Sequence, residues 1–254
     1  MRTLITIPVY NEEKHLEQVL TRVLEHSEHV LVIDDGSTDR TPCKLPEFPV
    51  EVIRHSTNRG YGRSLMDAFR WASLDGYEWV VTMDCDEQHE PESIPDFIAA
   101  AAAGDADVIS GSRYLASSSA RNAPPENRRA INHAITSEIN ERLRIRITDA
   151  FCGFKAYRVE SLAPLSFDVH GYAFPMQFWV QAAAAGLRIR EIPVSLIYND
   201  PNRTFGGPLN DDRVRLCHYR EVFQREMDRC AERLADRAAG AASAGPARPA
   251  CCTP

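Results

Sequence analysis

Short apolar runs that end in acidic clusters constrain this chain more than any other feature of it. Leu4 to Val9 runs into Tyr10-Asn11-Glu12, Val30 to Ile33 into Asp34-Asp35-Gly36-Ser37-Thr38-Asp39, and Trp79 to Met83 into Asp84-Cys85-Asp86-Glu87-Gln88-His89. Two further runs lie at Val50 to Ile53 and Val108 to Ile109. Between them stand apolar stripes at spacings of three and four: Leu16, Val19, Leu20, Val23 and Leu24, then Leu65, Met66, Phe69 and Ala72. Strand-length runs alternating with helical stripes predict an α/β fold, a mostly parallel sheet with helices on both faces. Ligands of such open sheets bind beyond the carboxyl ends of the strands, so the three acidic clusters are expected to converge on one rim.

The pattern continues with a helix opened by Pro91-Glu92 and closed near Gly104, then a turn-rich stretch through Ser117-Ser118-Ser119 and Asn122-Ala123-Pro124-Pro125. A helix is expected from about Asn127 to Arg142, a strand over Phe151 to Tyr157, a helix over Pro175 to Ala185 and a strand over Ile189 to Tyr198. A long helix from about Asn210 to Leu234 carries Val214, Cys217, Val222, Phe223, Met227, Cys230 and Leu234 on an apolar face, expected to pack on the domain. From about Ala238 the alanine, glycine and proline content has no periodicity, and disorder is expected. The 254 residues thus divide into one domain over 1–207, an amphipathic helix over 208–237 and a tail over 238–254.

A net charge of −7 lacks the basic footprint of a nucleic-acid-binding protein, so any phosphate ligand must be met locally. The first residues pass too abruptly into Leu4-Ile5-Thr6-Ile7 for a secretory signal, and no apolar run approaches the roughly 18–20 residues that cross a bilayer. The expected location is the cytoplasm, with any membrane contact peripheral and at the inner face. Seven cysteines, an odd number without paired Cys-x-x-Cys spacing, fit a reducing compartment and read mostly as small buried hydrophobes. Cys251-Cys252-Thr253-Pro254 departs from a prenylation box in its internal positions and its last residue.

Asp84 and Asp86 stand one residue apart where a strand leaves sheet geometry. One carboxylate there would suffice to cap a turn before the Pro91 helix. Two, with the Gln88 amide, form a hard oxygen set suited to Mg²⁺ or Mn²⁺, with positions left for water and phosphate. Such an ion would steady a nucleotide diphosphate as a leaving group. Asp34-Asp35-Gly36-Ser37 alone reads equally as a turn. Asn58-Arg59-Gly60-Tyr61-Gly62 is a glycine-rich loop that matches neither the dinucleotide fingerprint nor the Walker pattern, which weakens dehydrogenase and ATPase readings.

Taken in order, Pro8-x-Tyr10-Asn11-Glu12, Asp34-Asp35-Gly36-Ser37-Thr38-Asp39, Asn58-x-Gly60-x-Gly62, Asp84-x-Asp86-x-Gln88-His89 and Gly111-Ser112-Arg113-Tyr114 resemble the family-2 inverting glycosyltransferases, most of all the polyprenol-phosphate sugar synthases. Asp149 to Tyr157, Glu191-Ile192-Pro193-Val194 and Arg203-x-x-Gly206 are similar to later segments of that subgroup. The resemblance implies a Rossmann-like, nucleotide-sugar-binding sheet of the glycosyltransferase-A type. It implies that Pro8, Tyr10, Glu12, Asp35 and Asp84 line the nucleotide-sugar pocket, and that Asp84, Asp86 and Gln88 hold the metal. Arg113, Arg203 and one of Arg128 and Arg129 would meet the phosphates, and the step itself would rest on Asp84, Asp86, Arg113 and Arg203. Gly207-Pro208-Leu209 stands where the family places a Ser-Lys pair, Pro175-Met176-Gln177 where it often has an acid, and Lys155 where it usually has arginine.

The implied reaction is inverting transfer of a hexose from a nucleotide sugar, GDP-mannose favoured over UDP-glucose, to a polyprenyl or dolichyl phosphate. A phosphate monoester with a second pKa of about 6 is largely dianionic at neutral pH, so its oxygen needs no strong general base. His89 reads as a hydrogen-bond partner of the acidic cluster, outside the chemical step. Three alternatives stand beside this reading. They are transfer to a soluble acceptor, a nucleotidyltransferase, for which the N-terminal basic glycine-rich loop is missing, and a non-catalytic nucleotide-binding subunit of a membrane complex.

Overall fold

The computed structural model describes residues 1–115, 120–121, 126–197 and 207–243, with the backbone alone at 120–121 and 240–243. In chain order the elements are β1 (Thr3–Val9), α1 (Leu16–Leu24), β2 (Val30–Asp34), α2 (Thr41–Lys44), β3 (Glu51–Arg54), α3 (Tyr61–Leu74) and β4 (Trp79–Thr82). There follow α4 (Ile94–Ala102), β5 (Val108–Ser112), β6 (Ala120–Arg121), α5 (Glu126–Leu143), β7 (Lys155–Arg158), α6 (Val159–Leu162) and α7 (Phe174–Ala184). The last are β8 (Ile189–Pro193), β9 (Leu196–Ile197), α8 (Asp212–Arg229) and α9 (Ala231–Ser243).

Seven strands form one sheet in the order β3-β2-β1-β4-β7-β5-β8, and β6 pairs with β9 separately. All neighbours in the large sheet are parallel except β7, which runs against both β4 and β5. Two-residue alternation divides each central strand between two cores. Leu4 of β1 and Leu31 and Ile33 of β2 face the side covered by α3, α5, α7 and α8. Ile5, Ile7 and Val9, with Val30 and Val32, face α1 and α4. Phe97 of α4 stacks on Phe154 at 4.2 Å, each fully buried and contributing about 2–3 kcal/mol by area.

The expected strands and helices of the first half are present, most with boundaries moved by a residue or two; β5 runs on to Ser112, and α4 begins at Ile94 behind a 3-10 turn over Pro91–Ser93. Four differences appear in the second half. The strand expected over Ile189 to Tyr198 is divided into β8 and β9, which pair in separate sheets, and Tyr198 lies outside the described residues. At the expected Phe151–Tyr157 strand only Lys155–Arg158 is strand, because β7 pairs with β4 from Thr82 backward while residues 151–154 turn over the sheet end. The single terminal helix is two, since Cys230 (φ −102°, ψ 7°) leaves helical geometry where its side chain enters the core. The second of them continues to Ser243, into the segment expected to lack structure, as its alanines favour.

The buried face of α8 is also rotated from the expected stripe. Arg215, Tyr219, Val222, Phe223 and Glu226 are buried, while Val214 is 44% exposed and Cys217 faces solvent. Of the cysteines, Cys85, Cys152 and Cys230 are buried as expected, and Cys43 and Cys217 are exposed. Among the described residues no helix is long and apolar enough to cross a membrane.

Candidate active site

Parallel pairing brings the strand ends, and with them the acidic clusters, to one rim. Val9 is level with Asp34, and the Asp35 amide donates to Val9 O at 2.9 Å. The two loops are stapled by side chains. Asn11, in left-handed geometry at φ 58°, accepts from Thr38 N at 2.8 Å, while its own amide donates to Ser37 Oγ at 3.0 Å and Glu12 N donates to Thr41 Oγ1 at 2.9 Å. Asp34 forms the turn itself, Oδ1 accepting from Ser37 N at 2.9 Å, and leaves Asp35 to face the cleft. The turn reading and the pocket reading of this motif thus belong to adjacent residues.

Asp35 is nearly enclosed. Its Oδ1 accepts from Arg59 N and its Oδ2 from Gly60 N, both at 2.8 Å, and His55 Nδ1 lies 2.6 Å from Oδ1. Gly60 has φ 99°, and a Cβ there would stand 2.5 Å from His170 O, so glycine is required for the loop to press on the 168–171 segment.

On the next strand Asp86 Oδ1 accepts from Gln88 N at 3.0 Å, which is the turn role, and Asp84 N donates to His89 Nδ1 at 2.9 Å. The Asp84 carboxylate lies over Gly153, where a Cβ would come within 2.6 Å of Oδ2. Because β7 runs against its neighbours, it begins where they end, which puts Gly153 and Lys155 on the acidic rim. The cradle left by Gly153 and the two hard carboxylates fit a divalent cation that takes its other ligands from phosphate and water. Among the described residues no three His, Cys, Asp or Glu side chains cluster into a full cage. Gln88 buries Nε2 without a hydrogen-bond partner, and nitrogen of an amide is no ligand for a hard cation. The set the structure offers is therefore Asp84 and Asp86, which Gln88 joins only with its amide turned over.

Cationic side chains share the cleft with these carboxylates. Arg113, just past β5, gives Nε and Nη2 to Asp149 at 2.6 and 2.9 Å, and Asp149 also accepts from Asn132 Nδ2 at 2.8 Å. Desolvation opposes both charges, but the attraction wins, holding the Asp149 carboxyl far below the usual range and the Arg113 guanidinium above its own. Glu191 accepts from Thr148 N at 2.9 Å and Asp149 N at 3.2 Å, so the Glu-Ile-Pro strand fixes the loop that fixes Arg113. The fork expected to grip a phosphate is thereby engaged on Asp149, and Arg113 presents charge rather than that fork. Burial lowers the Lys155 ammonium, which donates to Cys152 O. Burial and then Asp84 push the Tyr61 phenol well up.

These walls enclose a cleft of about 1050 Å³ lined by Pro8, Tyr10, Glu12, Asp35, Asp84, Asp86, Gln88, Arg113 and Arg128. Of the α5 pair, Arg128 is one turn from Asn132 and faces the cleft, while Arg129 is exposed and does not line it. Arg203 lies outside the described residues. The cleft also contains Lys155, noted in the sequence for standing where the family usually has arginine, and Tyr61, Arg215 and Tyr219, which motif reading did not single out. Arg215 and Tyr219 belong to α8, where an i, i+4 pair of one cation and one aromatic carries no signal of facing inward.

Residues 4–165 match the family model described as Glycosyl transferase family 2. The chain is 33% identical over 231 residues to an undecaprenyl-phosphate mannosyltransferase of Micrococcus luteus, covering 86% of this chain and 94% of that one. It is 32% identical over 206 residues to a polyprenol monophosphomannose synthase of Mycolicibacterium smegmatis, covering 76% and 77%. The fold is similar to that of M. tuberculosis glucosyl-3-phosphoglycerate synthase, with a TM-score of 0.69 at 18% identity over 91% of this chain and 81% of the other. A second structure of that enzyme, with Mn²⁺, uridine diphosphate and glucosyl-3-phosphoglycerate, superposes with a TM-score of 0.69 at 17% identity, covering 91% and 80%.

Proposed function

The chain belongs to glycosyl transferase family 2, and on that footing we propose that it moves a hexose, with inversion, from a nucleotide sugar to a polyprenyl phosphate. GDP-mannose is the favoured donor. The observation that carries the reading is one cleft whose lining holds both the carboxylates of Asp84 and Asp86 and the cationic side chains of Arg113, Arg128 and Lys155. A reaction between two phosphate-bearing substrates needs that pairing of charges, and the two mannosyl-transferring relatives support the lipid phosphate as acceptor.

In this mechanism Pro8, Tyr10, Glu12 and Asp35 seat the nucleotide, with Asp35 held rigid by the Arg59 and Gly60 amides. Asp84 and Asp86 would hold Mg²⁺ or Mn²⁺, which when bound supplies Lewis-acid stabilisation of the leaving diphosphate. Arg113 and Arg128, with Arg203, bring the acceptor phosphate up to the face of the sugar opposite the leaving group. A dianionic phosphate attacks without a general base, so the residues contribute by position and charge neutralisation. Contact with the membrane is peripheral in this reading.

The test is nucleoside diphosphate release from GDP- and UDP-sugars with Mn²⁺ or Mg²⁺, with and without a short polyprenyl phosphate. Lipid-stimulated release, with sugar entering the organic phase, supports the proposal and identifies the donor. Donor turnover indifferent to the lipid phosphate refutes the acceptor and transfers the arginine wall to a soluble one.

A further inference from the structure

His55 follows β3 and lies behind the cleft, 7% exposed and absent from its lining. Its Nδ1 is 2.6 Å from Asp35 Oδ1 and its Nε2 is 3.0 Å from Asp67 Oδ2. Asp67, on α3, in turn accepts from Arg63 Nε and Nη2, both at 2.7 Å. An ionised carboxylate only accepts hydrogen bonds, so each of these contacts needs an N–H on the ring. The row runs Asp35, His55, Asp67, Arg63, with the ring held between two carboxylates. Arg54 does not enter the row; its Nε faces Asp34 Oδ2 at 3.1 Å.

We propose that His55 is a positioning residue for the donor, a buried ring that clamps the Asp35 carboxylate between β3 and α3 so that it meets the nucleotide in one orientation. The inference rests on the reading of Asp35 as a nucleotide-pocket residue. Two further observations give it substance. The Arg59 and Gly60 amides hold Asp35 at the entry to α3, whose N-cap is Gly60, and His55 adds a second tie, through Asp67, to the body of that helix. Neither His55 nor Asp67 reaches the cleft, so an effect of either on donor binding must pass through the protein.

The experiment is calorimetric binding of GDP and UDP to the wild type, His55→Leu, His55→Gln, Asp67→Asn, Asp35→Asn and the His55→Leu/Asp35→Asn pair, with steady-state kinetics of each. Because His55 acts through Asp35, the worth of its charged hydrogen bond sets the upper bound on the loss of nucleotide affinity, expected at about tenfold. The expected result is that loss in His55→Leu, a smaller one in His55→Gln, which keeps one donor, and a further one in Asp67→Asn. The donor KM rises in step with Kd, kcat at saturating donor changes by less than about twofold, and the acceptor KM stays put. In the double variant the losses fall short of additive, because His55 acts through Asp35.

A folded His55→Leu protein with wild-type nucleotide affinity overturns the proposal. So do strictly additive losses. If Asp35→Asn itself leaves nucleotide affinity unchanged, the pocket reading fails, and that outcome is distinct from failure of the clamp.

Discussion

Gly153→Ala isolates the role of the Asp84 carboxylate with a single methyl group. The added Cβ would stand 2.6 Å from Oδ2 and 3.0 Å from both Cγ and Oδ1. Non-bonded atoms settle at about 3.5 Å, so the carboxylate must move by about 0.5–1 Å. Metal–ligand distances tolerate about 0.2 Å, and a 1 Å misplacement of a reacting group costs about 100-fold. The expected loss in kcat is therefore about 10- to 100-fold, with a higher Mn²⁺ requirement. The fold should tolerate the change, because the atoms displaced are the tip of a side chain and alanine narrows the unfolded ensemble by about 0.4–1 kcal/mol. Nucleoside diphosphate release across a Mn²⁺ titration measures the first effect, and nucleotide binding in chelator with a melting curve measures the second. A variant with wild-type turnover and Mn²⁺ dependence refutes the placement of the ion at Asp84.

Other outcomes follow from the same geometry. Arg128→Ala should raise the acceptor KM about tenfold or more while Arg129→Ala, which points to solvent, leaves it unchanged; acceptor titration compares them. Asp149 is held below the usual carboxylate range, so the stability it contributes is present above the unfolded pKa of about 4 and is lost as pH falls through its lower folded value. The melting-temperature advantage of wild type over Asp149→Asn should accordingly hold at pH 7 and shrink below about pH 4. Glu226, fully buried, accepts from Gln177 Nε2 at 2.8 Å and Gln181 Nε2 at 2.6 Å. Glu226→Ala should cost about 3–5 kcal/mol, a drop in melting temperature of about 2–4 °C per kcal/mol, read by thermal unfolding.

The first half of the fold was legible because its signals are local. β1, β2 and β4 announce themselves as apolar runs, and the residues that close each run, Asn11, Asp34 and Asp84, are the ones that turn the chain at the rim. What escaped was set by distant partners. The strand expected over Phe151 to Tyr157 is legible, but its late start at Lys155 and its reversed direction are not, because they are set by β4 and β5 on either side of it. The buried face of α8 was misread because its inward positions include Arg215 and Glu226, charges that a hydrophobic stripe assigns to solvent. Each is accepted inside only because Leu209 O and Asp212, or Gln177 and Gln181, meet it there. Within the candidate site the acidic half was visible in motifs, whereas the engagement of Arg113 by Asp149, 36 residues away, was not.

The reversed strand has a consequence for the order in which the molecule comes into being. β5 ends at Ser112, yet both of its partners, β7 and β8, begin after residue 154. A nascent chain that has delivered every residue of the acidic rim therefore still has a four-stranded sheet with an open edge at β4, and a fifth strand with nothing to pair with. Only when Lys155–Arg158 slots between them do two edges vanish at once, in contacts that span 73 residues from Thr82 to Lys155. Such long closures are slow, and an exposed β4 is a template for pairing with another chain meanwhile. The same strand that carries Gly153 and Lys155 to the rim thus sets the stage of synthesis at which the protein is most open to aggregation, and slower translation or a holdase over residues 113–154 acts on that interval.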